Sequence, residues 1–127
     1  MTTSKVKQKE LQEEQLRRSE RLLKGAEEVL LREFLDKEFG EISHLFLVCS
    51  IPDEDTEFLR LVIFPAGVMA DIQIPRPWNE QSLQSATVEA LTPVSRLKGM
   101  LNEFTKLDRR EVEAILGLID ELGLTSR

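Results

Sequence analysis

Leu23, Ala26, Leu30 and Phe34 fall at intervals of three and four residues, with Leu22, Val29, Leu31 and Leu35 on either side of them. That spacing places them on one face of a helix. Residues 4–39 contain no proline and one glycine, Gly25, and Leu, Glu, Lys, Gln and Arg dominate the stretch. All five are good helix formers, so the pattern predicts one long N-terminal helix, ended by Gly40 in the favoured position after a helix. Before Leu22 the apolar stripe fades to Val6, Leu11 and Leu16. Residues 1–21 are therefore expected to form a charged, solvated and fraying helical arm, ahead of a single domain at 22–127. Leu16, Leu23 and Leu30 are seven residues apart, but Ser19, Ala26 and Glu33 at the companion positions do not sustain a coiled-coil heptad.

The pattern then changes period. Three strands are expected, at 42–51, 58–64 and 68–74, each ending in an apolar residue followed by proline: Ile51-Pro52, Phe64-Pro65 and Ile74-Pro75. Proline cannot donate to a ladder and marks where pairing stops. The short connections "PDEDTE" and "PAG" predict antiparallel hairpins, hence a three-stranded meander. In the third strand Val68, Ala70, Ile72 and Ile74 alternate with Met69, Asp71 and Gln73, and alternation predicts a water-facing Asp71. The middle strand, "FLRLVIF", has Arg60 as its one polar residue and is apolar on both faces.

After "IPRPW" the period returns to helical. A helix is expected at 80–91, capped by Asn79, and a second from Thr92-Pro93 with Val94, Leu97, Leu101 and Phe104 on one face. A third is expected from a capping-box-like Asp108/Glu111 start, with Val112, Ile115, Leu116, Ile119 and Leu122 as its stripe and Gly123 as its stop. The expected fold class is α+β: a long N-terminal helix, a three-stranded antiparallel meander, then three C-terminal helices.

Composition narrows the function classes. The chain has 127 residues and 41% apolar residues, enough to build one core. No apolar run approaches the roughly 18 residues of a membrane span, and the N-terminal stretch is charged throughout, so a cytoplasmic protein is expected. Residues 1–40 carry nine Lys or Arg and nine Asp or Glu, so the whole net charge of −6 lies in residues 41–127. An acidic body gathers nucleic acid poorly. The final helical pair has Lys106, Arg109 and Arg110 near its turn, but Glu111, Glu113, Asp120 and Glu121 on its last helix would meet phosphates unfavourably.

Little in the chain points to catalysis, and the expectation is a non-enzyme without cofactor or metal. The single cysteine, Cys49, lies in the apolar run "HLFLVCSI", five residues after the single histidine, His44; an odd separation on a regular strand puts the two on opposite faces. One histidine and one cysteine do not make a zinc set. The acidic turn Asp53, Glu54, Asp55, Glu57 lacks the glycine and the twelve-residue spacing of a calcium loop and reads as a solvated hairpin turn. No glycine-rich phosphate loop is present.

The double-sided middle strand is the feature that bears on function. Leu59, Leu61 and Ile63 form an unbroken set and are assigned to the chain's own core. Phe58, Val62 and Phe64 share the other face with Arg60 and are expected to be covered by a second copy or a partner chain. Arg76 and Trp78, held extended by Pro75 and Pro77, are expected at the rim of that contact. The length, the acidic body, the opening helix and the following meander, over residues 22–75, are similar in outline to type III secretion chaperones, small dimeric proteins that hold an unfolded effector segment. The expected function is a small soluble protein–protein interaction or adaptor module, expected to be oligomeric through a protein partner or a homodimer, with no nucleic-acid or membrane partner. A secretion-chaperone-like role is one alternative. A small enzyme or ligand-binding domain with a pocket between sheet and helices is the other.

Overall fold

A computed structural model describes residues 5–24, 29–76 and 79–125. In chain order the elements are α1 (Lys5–Lys24), α2 (Val29–Phe39), β1 (His44–Pro52), β2 (Thr56–Phe64), β3 (Val68–Pro75), α3 (Glu80–Gln84), β4 (Thr87–Pro93), α4 (Val94–Leu97), a 3-10 segment (Lys98–Glu103) and α5 (Lys106–Leu122). The class is α+β with a long N-terminal helix and an antiparallel sheet, but the sheet has four strands, in the order β1-β2-β3-β4. Among the described residues there are five α-helices.

The meander follows the expected hairpins. Gly67 takes a left-handed φ of 69° in the β2–β3 turn, and Gly40 takes a φ of 79° where α2 ends, with its N–H donating to the Asp36 carbonyl at 2.8 Å. Side chains alternate across β2 and build two cores. On the first face Leu59, Leu61 and Ile63 pack with Leu45, Ala70, Ile72 and Ile74 of the neighbouring strands and with Leu31 and Leu35 of α2. On the second face Val62 and Phe64 pack with Phe46, Val48 and Met69 and with Val112, Ile115 and Leu118 of α5. Each such side chain contributes about 1.5–3 kcal/mol when fully buried, so a helix is needed on each face.

The cover of that second face corrects the sequence reading. Val62 is 0% exposed and Phe64 2% exposed, beneath this chain's own α5 rather than beneath a partner. The amphipathic stripe of α5 and the second face of β2 satisfy each other, a pairing that neither segment specifies by itself.

The C-terminal half departs from expectation in a second way. Residues 80–91 were expected to be one helix, yet α3 stops after Gln84 and the chain turns into β4, which pairs antiparallel with β3. Helix propensity in "TVEAL" is overridden because β3 would otherwise leave a row of backbone donors and acceptors unpaired. Asn79 does cap α3, through a capping box with Ser82. Pro93 is the cap of α4, one residue later than expected, and Thr105 caps α5 by accepting the Asp108 N–H at 3.2 Å. Gly123 ends α5 in a left-handed conformation, as its position predicts.

The third departure is at the N-terminus. Of the single helix expected over 4–39, α1 and α2 are described, with residues 25–28 outside the described residues, and the two serve different parts of the sheet. α2 covers the first face of the sheet, whereas α1 lies along β1 and α5. The arm expected to be solvated thus has a packed face. Its fully buried residues are polar, Gln15 and Ser19; Val6 and Leu16 are exposed, Leu11 is half-buried, and Leu22 and Leu23 pack on the first core. Ala26 lies outside the described residues. No helix among the described residues is long and apolar enough to cross a membrane.

Because both faces of β2 belong to this chain's core, Leu61→Glu and Val62→Glu should unfold the protein alike. Each would bury an unpaired carboxylate, at about 3–5 kcal/mol, a large part of the roughly 5–15 kcal/mol that stabilises a domain. Leu107→Glu, at a position 73% exposed, should stay within about 0.5 kcal/mol of wild type. Circular dichroism melts with sedimentation velocity check this. A Val62→Glu protein that melts as wild type but sediments differently would place that face between chains after all.

Candidate functional site

The residues singled out from sequence are not brought together. Val62 and Phe64 are interior, and Phe58 is half-buried with its ring against the Arg60 guanidinium, 5.7 Å from the ring centroid. Arg76 is exposed, and its backbone N–H donates to the Asp55 carbonyl at 2.8 Å, tying the end of β3 to the β1–β2 turn. Trp78 lies outside the described residues.

The most concentrated polar chemistry sits on the second face, where the apolar core gives way to charge. Arg60 and Asp71 are direct cross-strand neighbours. The Arg60 Nε and Nη2 donate to the two Asp71 carboxylate oxygens at 2.8 and 3.1 Å, a bidentate pair, and Nη1 donates to Asp108 Oδ2 at 3.1 Å. The guanidinium also lies 5.7 Å from the Phe104 ring, so two aromatic rings flank it. Asp71 therefore does not face open water, as alternation alone suggests, because the partner it needs is directly opposite. Asp108 lies in the first turn of α5, where a carboxylate complements the helix dipole. The Asp71 hydrogen bond holds the Arg60 guanidinium above its ordinary pKa. This trio ties β2, β3 and α5 together; its charges are spent on one another.

Cys49 joins the same face through an irregularity. The β1–β2 register shifts between Leu47 and Cys49, so Cys49 pairs with Arg60 and His44 with Phe64. The extra residue, Val48, reverses the parity, and His44 and Cys49 share a face rather than opposing each other. They remain about 16 Å apart along the strand at the usual rise per residue, and the His44 ring stacks on Phe46 at 6.2 Å. The Cys49 thiol is pushed up to about 11, chiefly by burial and then by the Asp108 carboxylate beside it. At neutral pH it is a thiol, not a nucleophilic thiolate. The "DEDTE" turn closes on itself, the Asp53 N–H donating to the Thr56 carbonyl at 2.7 Å. Among the described residues no three His, Cys, Asp or Glu side chains are grouped to hold a metal ion.

The open surfaces lie elsewhere. A shallow groove of about 310 Å³ runs between α2 and α3, with Leu30, Phe34, Leu83 and Ala86 as its apolar lining and Glu33, Lys37 and Glu38 at its polar margin. Val88 of β4 packs on the core beneath this side of the sheet. Leu91 pairs with Ala70 and so stands on the same face, yet it is 54% exposed. β4 is the last strand of the sheet, and among the described residues its outer edge has no strand beside it. β1, at the opposite edge, is flanked by α1. These surface residues were hidden by the helical reading of 80–91. The available signal was the β-branched Thr87, Val88 and Thr92, which fit a strand better than a helix.

Two measurements test this geometry. Arg60→Ala should lower stability by about 2–3 kcal/mol in urea, since Asp71 and Asp108 would be left partly buried without a cation. Arg60→Lys should lose less, keeping the charge without the bidentate fork. A shift of the thiol from 9.0 to about 11 should slow alkylation of Cys49 at pH 8 about a hundredfold relative to the unfolded chain. The sign for stability follows: between those two values the folded state holds the proton that the unfolded state releases, so stability should fall as pH rises above about 9. Alkylation at the unfolded-chain rate would show that Cys49 is not enclosed.

No family model, curated protein or solved structure matches this chain, so the reading of its surfaces rests on their own geometry.

Proposed function

We propose that this protein is a non-catalytic protein–protein interaction module that takes an extended segment of a partner protein along β4. The observation that carries the reading is the asymmetry of the sheet: one edge is flanked by α1, and the other, β4, has no strand beside it among the described residues. Five of the seven β4 residues are exposed. An edge strand presents unpaired N–H and C=O groups at alternate residues, and an extended peptide satisfies them by adding a strand. The groove beside α2 and the exposed Leu91 offer apolar contacts on one face of such a strand. Glu89 on β4, and Glu33 and Glu38 beside the groove, favour a segment carrying Lys or Arg between its apolar residues.

The secretion-chaperone-like reading is the same chemistry applied to an unfolded client. It is supported by the unpaired outer edge of β4, which offers an unfolded client the same strand pairing. Self-association through β4 is the competing use of the same edge.

Selection of displayed random peptides on the immobilised protein tests the proposal. Recovered peptides should alternate apolar and basic residues, bind in the micromolar range, and shift backbone NMR resonances at Val88–Thr92. Ala90→Pro and Leu91→Glu should each weaken binding at least tenfold with the circular dichroism spectrum unchanged. Shifts confined to α1 and α5, or affinities indifferent to both substitutions, would defeat it.

A further inference from the structure

Along its middle, α1 meets the rest of the chain through amides, while Leu22 and Leu23 at its C-terminal end pack on the first core. α2 buries Leu31 and Leu35, and α5 buries Val112, Ala114, Ile115, Leu118 and Ile119. The two residues that α1 buries are Gln15 and Ser19. Gln8, Gln12 and Gln15 recur at helical spacing and turn their amides towards α5 and β1. The Gln8 and Gln12 amides donate to the Glu113 and Ala114 carbonyls at 3.4 Å. Those carbonyls lie inside α5, where helical backbone bonds already claim them, so these are second and long bonds. Gln15 Nε2 donates to the Leu47 carbonyl at 2.6 Å and to Glu111 Oε2. Gln15 Oε1, fully buried, has no hydrogen-bond partner among the described residues.

Gly117 of α5 lies directly beneath the end of the Gln12 side chain, and a Cβ there would oblige that amide to shift. Mid-helix glycine is unfavourable, and here it is retained where α1 rests.

The geometry points to α1 being a displaceable strap: a helix that opens as one unit ahead of the rest of the fold, uncovering the edge of β1. Apolar burial holds the two-faced core, and it is absent from the strap's most buried positions. Opening exchanges amide–backbone bonds for amide–water bonds of similar strength and gives Gln15 Oε1 the partner it lacks when closed. Closed, the strap shields an edge strand that would otherwise be free to pair with another chain. The inference is independent of the role assigned to β4.

Native-state hydrogen exchange of the full-length protein, read by mass spectrometry, tests it. Peptides within Leu11–Leu22 should exchange at least tenfold faster than those covering Leu61–Phe64 and Ile115–Ile119, and as a single cooperative unit. Gln15→Ala should speed exchange in α1 a further tenfold, leaving β2 exchange and the urea midpoint unchanged. Gln12→Ala, at a half-buried position, should do the same more weakly. Equal protection of α1 and β2 in the wild type would overturn the strap. So would a Gln15→Ala protein that unfolds, or that loses protection in β2 in step with α1, since α1 would then be part of the cooperative core.

Discussion

A strand that is apolar on both sides cannot rest on one layer. β2 places Leu59, Leu61 and Ile63 on one face and Val62 and Phe64 on the other, all of them buried. Its presence at the centre of a meander obliges the chain to provide two covers, and most of the architecture follows from that obligation. α2 closes the first face, and α5 returns across the second. The segment from α3 to the 3-10 turn is the route by which the chain travels between them, and β4 is laid down on the way, where β3 has an edge to satisfy.

Charge enters this scheme at one place. Arg60 stands on the second face of an otherwise apolar strand, and a lone guanidinium there would be costly. Asp71 directly across the ladder and Asp108 in the first turn of α5 neutralise it. The trio thereby sets where α5 begins along the sheet, since only one register brings Asp108 to Arg60. The two rings of Phe58 and Phe104 close over the guanidinium. The cluster marks the border between core and solvent and explains why a strand so apolar tolerates one arginine.

The two edges of the sheet are treated differently. β4 is short, carries Glu89 at a register shift and ends in Pro93, devices that limit unwanted pairing without covering the strand. β1 is longer and is covered by α1, whose fully buried side chains are the polar Gln15 and Ser19. Edge protection of the second kind is reversible in a way that a buried core is not.

The three strands of the meander, the prolines that end them, the caps at Asn79 and Gly123 and the membership of the first core were legible in the residues themselves. Each rests on local periodicity or on the fixed geometry of proline, glycine and a capping side chain. Three things were decided by tertiary structure alone. Residues 87–93 became a strand because β3 needed a partner, although the spacing of apolar residues across 80–91 reads as helical. Val62 and Phe64 went beneath α5, because an apolar sheet face and an amphipathic helix find each other whatever their separation in sequence. The glutamine face of α1 stayed invisible to a search for apolar stripes, since Gln8, Gln12 and Gln15 announce burial only once backbone carbonyls stand opposite them. Cys49 shows the same limit on the scale of one residue. Its side follows from counting along a regular strand, and the extra Val48 that reverses the count is set by how β1 lies against β2.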